Sequence, residues 1–228
     1  MEELVARFGL PAAAASQLRA LLDLLAADPQ APTAVTEPAR AVDSHLADSL
    51  VALGLPAVRE AAVMADLGSG AGFPGLALAV ARPDARVFLV ESVARKCAFL
   101  ERAVVAAGLA NAEVVCRRAE EWEAGRAGCD LVTARALAAL PVVAEYAAPL
   151  LRMGGTLVAW KGRPDPAETA DAAAAAAALG LEVVEVVRVK PHPAARHRYL
   201  HVLRKVAPTP PRFPRRPGAA AKRPLRAA

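Results

Sequence analysis

Apolar residues recur at helical spacing over residues 2–27, where Leu4, Val5 and Phe8 are followed by Leu18, Leu21, Leu22 and Leu25. Gly9-Leu10-Pro11 predicts a break that divides this stretch into two pieces. Residues 27–38, ADPQAPTAVTEP, read as a proline-punctuated loop. Residues 39–53 read as a further helix with Val42, Leu46, Ser49, Leu50 and Leu53 on one face. From Val63 onward the period changes. The short apolar runs VMADL, RVFLVE, AEVVCR, CDLVTA and TLVAW alternate with the helical stretches PGLALAVARP, VARKCAFLERAVVAAGL and LPVVAEYAAPLL. Strands that are apolar along most of their length, separated by helices, predict a parallel sheet covered on both faces. An alanine-rich helix at about 165–179 leads to LEVVEVVRVK and RYLHVLRK, joined by KPHPAARH. That connection is too short for a helical crossover, so the last two runs should form an antiparallel hairpin appended to the sheet.

The junction between the first strand and the helix after it carries the chemistry. In DLGSGAGFPG, Gly68, Gly70 and Gly72 follow Asp66, and Pro74-Gly75 opens the helix. Glycines there permit a tight turn and a close approach of ligand to backbone. A dinucleotide loop would show GxGxxG, with pyrophosphate against the helix N-terminus. The spacing here is GxGxG, which suits S-adenosylmethionine, a ligand with no pyrophosphate to cradle. Glu91 ends the next strand, where a carboxylate can accept from both ribose hydroxyls. Arg118-Ala119-Glu120-Glu121 follows the third strand, within reach of an adenine.

Charge adds a second theme. The net charge is +5, yet residues 206–228 hold six basic residues (Arg212, Arg215, Arg216, Lys222, Arg223 and Arg226) and no acid. Without them the chain comes to about −1. The proline content of this tail favours extended conformations, and two readings stay open: a solubilising tail or a phosphate-contacting arm for nucleic acid. Cys97, Cys116 and Cys129 form no CxxC, so free buried thiols in a reducing cytosol are expected. No apolar run is long enough for a membrane span, and the acidic, amphipathic N-terminus does not have the form of a signal peptide. A cytoplasmic monomer is expected.

Taken in order, DLGSGAGFPG, ESVARKCAFL, RRAEEW, DLVTARALAAL and AWKG resemble the bacterial guanine-N7 methyltransferases of small-subunit ribosomal RNA, the glucose-inhibited division protein B family. TAVTEPARAVDSHLADSL, with its His-x-x-Asp-Ser, and the tail TPPRFPRRPGAAAKRPL extend the likeness over about residues 33–225. The resemblance implies a Rossmann-like class I methyltransferase fold: a mostly parallel seven-stranded sheet with a C-terminal antiparallel hairpin and an N-terminal helical extension. It divides the chain into the extension (1–62), the methyltransferase domain (63–205) and the basic tail (206–228). It also implies S-adenosylmethionine as cofactor, and 16S ribosomal RNA, in the 30S subunit or an assembly intermediate, as partner.

The same resemblance implies roles for individual positions. Asp66, Gly68, Gly70, Gly72 and Phe73 would form the donor loop, Glu91 would hold the ribose, and Ala119 and Glu120 the adenine. Arg135 would sit beside the donor where RNA enters, and His45, with Asp48 and Ser49, would close the pocket. Lys161 and Arg198 would line the RNA-facing side, and Arg212, Arg215 and Arg216 would contact RNA. Arg135, His45 and Lys161 are thus the candidate catalytic set. Where the family usually carries Asn before Leu-Thr, this chain has Ala31-Pro32-Thr33, so another group must supply whatever that Asn does.

Guanine N7 has a lone pair and no proton to lose, so direct displacement at a sulfonium methyl needs no general base. The chain accordingly has no Asn-Pro-Pro-Tyr or Asp-Pro-Pro-Tyr stretch for exocyclic amines, and no Pro-Cys pair for covalent attack on a pyrimidine. Three other readings compete: a methyltransferase for a small molecule or protein, an RNA-binding assembly factor with a vestigial pocket, and a dinucleotide oxidoreductase. The basic tail weighs against the first, the intact glycines and Glu91 against the second, and the glycine spacing against the third.

Overall fold

The computed structural model describes residues 1–227; Ala228, the last residue of the expected tail, lies outside them. Two helices open the chain, α1 (Glu2–Phe8) and α2 (Ala14–Ala27). Gly9 separates them in the left-handed region (φ 59°), where its N–H can close the last turn of α1. Leu18, Leu21, Leu22 and Leu25 of α2 are all buried, as their spacing predicts. Next, α3 (Pro38–Ala41) begins on Glu37, whose carboxylate accepts from the N–H groups of Ala39 and Arg40 (3.0 and 2.9 Å). The helix predicted over 39–53 then runs on through a π-helical segment, Val42–Ala47, a turn of α-helix, α4 (Asp48–Leu50), and a 3₁₀ turn, Val51–Gly54. A further short helix, α5 (Pro56–Glu60), reaches the sheet.

Seven strands follow: β1 (Val63–Leu67), β2 (Arg86–Glu91), β3 (Ala112–Cys116), β4 (Cys129–Arg135), β5 (Leu151–Lys161), β6 (Leu181–Arg188) and β7 (Tyr199–Lys205). Four helices accompany them: α6 (Gly75–Ala81), α7 (Ala94–Ala106), α8 (Leu140–Ala147) and α9 (Pro166–Leu179). The order across the sheet is β3-β2-β1-β4-β5-β7-β6. The first five strands are parallel, and β7 runs antiparallel between β5 and β6, as the short connection predicts. β5 begins earlier than TLVAW indicates. Its first residues, Leu151 to Gly154, pass an irregular register opposite Cys129 and Leu131 and are mostly exposed, so no apolar signal marks them.

The sheet separates two cores, as alternation along each strand requires. Met64, Leu131, Val158 and Trp160 face the N-terminal helices, α6 and α7. Ala65, Leu67, Val132, Leu157 and Ala159 face α8 and α9. The chain reverses direction across the sheet between β1 and β4, so the crevice beyond their C-terminal ends is where this architecture places ligands.

One expectation changes. Cys97 and Cys116 are not free: α7 carries Cys97 back over the end of β3, with the Cα atoms 5.7 Å apart, and the pair forms a disulfide. Cys116 is also exposed rather than buried, and Cys129 alone among the described residues is a free, buried thiol. The basic tail, in turn, is packed against the domain. Phe213 inserts into the second core, and a short helix, α10 (Ala219–Lys222), buries Ala220. No helix of the described residues is long and apolar enough to cross a membrane.

Candidate active site

The glycine loop leaves β1 with Gly68 at φ 65°, and a Cβ there would lie 2.5 Å from Cδ1 of Leu137. The left-handed backbone favours glycine there, and the Leu137 side chain of the loop after β4 leaves little room for a Cβ. Asp66 lies beneath the loop, fully buried. Its carboxylate accepts from the Thr133 hydroxyl (2.8 Å) and from the N–H of Gly75 (3.2 Å), tying β1 to β4 and to the start of α6. Burial pushes this carboxyl up to about 6. Glu91 is also buried. One of its oxygens accepts from the N–H groups of Ser92 and Val93 (2.8 and 3.0 Å) and the other from Gly70 (3.1 Å), so it braces the glycine loop from the neighbouring strand.

These elements enclose a cavity of about 310 Å³ lined by Leu67, Gly68, Val90, Glu91, Ala119 and Glu120, with Lys96, Arg118 and Tyr146 at its rim. Its walls combine a buried carboxylate at the end of β2, a turn without pyrophosphate-binding spacing and apolar side chains. That set suits a ribose, a sulfur-bearing chain and an adenine, so the residues fit S-adenosylmethionine. Glu91 would hold the ribose, Gly68 the part of the donor crossing the loop, and Ala119 with Glu120 the adenine.

A second cavity, about 460 Å³, adjoins the first. Ala136 and Leu137 line both, and Ala136 holds a left-handed backbone (φ 54°) unusual for a residue with a side chain. Val35, His45, Asp48, Arg135, Trp160, Lys161 and Arg198 line this larger space. Asp48 organises it. Its carboxylate bridges two guanidinium groups, Arg135 at 2.9 Å and Arg198 at 3.0 Å, and its carbonyl accepts from the indole N–H of Trp160 (2.7 Å). Arg135 also donates to the carbonyl of Ser44 (3.0 Å) and approaches Nδ1 of His45 (3.4 Å).

His45 is held on its other side. Its Nε2 lies 3.1 Å from the carbonyl of Val35 and 3.2 Å from the hydroxyl of Thr33. The consistent arrangement is Nε2–H donating to Val35 while Nδ1 accepts from Arg135. Burial, followed by the Arg135 charge, lowers the imidazole pKa and favours this neutral form. Thr33 therefore supports His45 from the loop that precedes α3. Lys161 pairs with Glu168 of α9, and Glu168 also accepts from the N–H of Leu140 (2.7 Å).

The candidate residues thus divide between two spaces. Gly68, Glu91, Ala119 and Glu120 gather at the smaller cavity, and His45, Arg135, Lys161 and Arg198 at the larger. The structure places Asp66, Gly70, Gly72 and Phe73 beneath or behind the cavities rather than on their walls. Asp66 lines neither cavity, because its carboxylate is consumed in holding the loop's base. Gly70 and Gly72 shape the turn from behind, and a Cβ on Gly72 would strike Leu76 at 2.1 Å. Phe73 is buried against the His45 ring rather than facing the smaller cavity. Arg135, expected beside the donor, lines only the larger cavity. Among the tail arginines, Arg212 and Arg216 are exposed, whereas Arg215 is half-buried and grips the buried carboxylate of Glu145. Sequence reasoning missed Tyr146 and Lys96 as lining residues; no local pattern marks them, since the packing of α8 and α7 on the sheet brings them to the crevice.

A family model described as "rRNA small subunit methyltransferase G" matches residues 15–198. The proteins named "Ribosomal RNA small subunit methyltransferase G" from Desulfitobacterium hafniense and Rubrobacter xylanophilus are 37% and 43% identical to this chain. The matches cover 85% and 83% of it, and 81% and 75% of the relatives. Among solved structures, a 16S rRNA (adenine(1408)-N(1))-methyltransferase mutant from Catenulisporales acidiphilia has a TM-score of 0.53 at 20% identity, covering 68% of this chain and 90% of that one. An N1-methyltransferase for 1,6-didemethyltoxoflavin from Burkholderia thailandensis, solved with S-adenosylhomocysteine, scores 0.52 at 20% identity, covering 81% and 88%. These two establish the class I methyltransferase fold. The chain belongs to the rRNA small subunit methyltransferase G family, and with it to the S-adenosylmethionine-dependent methyltransferases.

Proposed function

We propose that this chain methylates N7 of one guanine in 16S ribosomal RNA by direct displacement, without a general base. The observation that carries the reading is the meeting of two unlike cavities at Ala136-Leu137: one fitted to the donor, the other lined by cations and an aromatic ring. S-adenosylmethionine supplies a methyl group activated on a sulfonium. The chain's part is to align the base, where effective molarities are large, and to keep water away.

In the larger cavity Arg135, Lys161 and Arg198 outnumber Asp48, which favours entry of a polyanion. Guanine presents O6 and N7 on one edge. A remaining N–H of Arg135 can donate to O6 and leave the N7 lone pair free. His45 is suited to holding that guanidinium rather than to taking a proton, because its Nδ1 faces a cation and its Nε2–H is committed to Val35. Trp160 anchors Asp48, and through it both arginines.

The family names and the exposed Arg212 and Arg216 support ribosomal RNA within a 30S particle or assembly intermediate as the partner, with the chain acting as a monomer in the cytoplasm. The test is single-turnover methyl transfer to 30S subunits from cells lacking this gene. Arg135→Ala should bind donor as the parent does and lose transfer. Transfer at the parent rate in Arg135→Ala would remove the larger cavity from the mechanism.

A further inference from the structure

We propose that the C-terminal segment 212–223 is a strap that fixes the adenine side of the donor cavity, with Arg215 and Gly218 as its positioning residues. The inference rests on reading Ala119 and Glu120 as the adenine wall.

The segment is anchored at both ends. Phe213 lies in the second core and Ala220, within α10, is buried. Between them, Arg215 reaches the carboxylate of Glu145, which is only 1% exposed, through Nε (2.8 and 3.1 Å), through Nη2 and through its own backbone N–H (3.2 Å). Such a forked, charge-assisted contact to a buried acid fixes the chain's position on α8. Gly218 then turns in the left-handed region (φ 77°) and donates its N–H to Oε1 of Glu120 at 3.0 Å.

Both gripped acids adjoin the donor cavity. Glu120 lines it, and Glu145 precedes Tyr146, which also lines it. The Ala119–Glu121 turn is a single 3₁₀ turn whose own backbone bonds are local, Glu121 N–H to Arg118 (3.0 Å) and Trp122 N–H to Ala119 (3.3 Å). Trp122 secures its far end by packing on Phe88. The Glu120 carboxylate receives its distant support from Gly218, 98 residues away in sequence. The tail therefore adds, at Glu120, a distant tie that the turn's own backbone bonds do not supply. Releasing it costs the donor its ordered partner, while the larger cavity, on the opposite side of Ala136-Leu137, keeps all its contacts.

The test is calorimetric titration of S-adenosylmethionine and S-adenosylhomocysteine into the full chain. Arg215→Ala alone leaves a buried carboxylate unpaired, so the informative variant combines Arg215→Leu with Glu145→Gln. The expected result is donor binding weakened about five- to tenfold. The ligand-induced rise in melting temperature should shrink beyond any change in the ligand-free protein, and the donor KM should rise with kcat retained. A variant that is merely destabilised would lower both melting temperatures together. Glu120→Ala is measured in parallel. Unchanged donor affinity there defeats the adenine-wall reading. Unchanged affinity in the Arg215→Leu/Glu145→Gln protein, with Glu120→Ala weakened, defeats the strap. Arg226→Ala, which removes one exposed charge outside the strap, should bind donor as the parent does.

Discussion

The Phe73 ring lies parallel to the His45 imidazole, with centroids 4.9 Å apart and planes 6° from parallel. This stack joins the glycine loop to the N-terminal extension, so the loop that shapes the smaller cavity also supports His45 in the wall of the larger one. His45→Ala should leave donor affinity near its parent value and slow single-turnover transfer by roughly tenfold or more, because the Arg135 guanidinium loses its lateral support. A fall in donor affinity as large as the fall in rate would contradict this division.

The neutral state of His45 sets a pH profile. Its pKa is lowered in the folded protein, so the imidazolium forms only below its ordinary value of 6.5. Activity should be flat from about pH 8 down to 6.5 and decline at lower pH, and the stability this group contributes is likewise lost as pH falls through the depressed value. A decline in kcat/KM centred at or above pH 6.5 in stable protein would show that the imidazole is charged in the working site.

Asp48 holds two cations at once, Arg135 and Arg198. Asp48→Ala leaves both guanidinium groups without their shared partner, and breaking such a buried contact destabilises by about 3–5 kcal/mol. Asp48→Asn preserves shape and should fold. In it, donor binding persists, because Asp48 does not line the smaller cavity, while the RNA concentration giving half-maximal transfer rises. Equilibrium unfolding and RNA titration together check both statements.

Asp66 works in the opposite sense to most carboxylates. Its folded pKa is raised from 3.8 to about 6, so between those values the folded protein keeps a proton that the unfolded chain releases. Stability from this group therefore falls as pH rises from about 4 to 6 and stays low above that. Asp66→Asn removes the ionisation while keeping an acceptor for Thr133 or Gly75. The stability of Asp66→Asn relative to the parent should grow with pH over that window, by an amount on the order of 3 kcal/mol. A pH-independent difference would mean that the carboxyl is ionised throughout.

The tail arginines separate by environment. Arg212→Ala and Arg216→Ala should each lower the dependence of log RNA affinity on log salt by about one, if each meets one phosphate. The Arg215→Leu/Glu145→Gln protein, which removes a charge tied to a buried acid, should leave that slope unchanged. Equal slope changes at all three positions would make the packed arrangement of Arg215 irrelevant to binding.

Much of this fold was legible in the sequence because the signals are local. Continuous apolar runs marked β1 and β2 to the residue, and the short 190–197 connection revealed the antiparallel hairpin. That Glu91, Ala119 and Glu120 line the smaller cavity is legible because they stand at or just beyond strand ends, where the topology opens a crevice. What escaped depends on distance. Tyr146 reaches the donor cavity only through the way α8 packs, and the Cys97–Cys116 pairing follows from α7 folding back over β3. The tail's composition argued for an extended arm, yet a single aromatic, Phe213, and a single buried acid partner, Glu145, suffice to dock it. Phe73 and Asp66 sit in the right motif but serve the architecture beneath the ligand.

The most direct test of N7 methylation is borohydride–aniline mapping of 16S RNA after transfer from S-adenosylmethionine to 30S subunits that lack the modification. One discrete cleavage at a guanine, present with the parent chain and lost with Arg135→Ala, is the expected result. Methyl incorporation into 16S RNA without aniline cleavage would place the methyl on another atom, and with it would fall the argument for a site that needs no base.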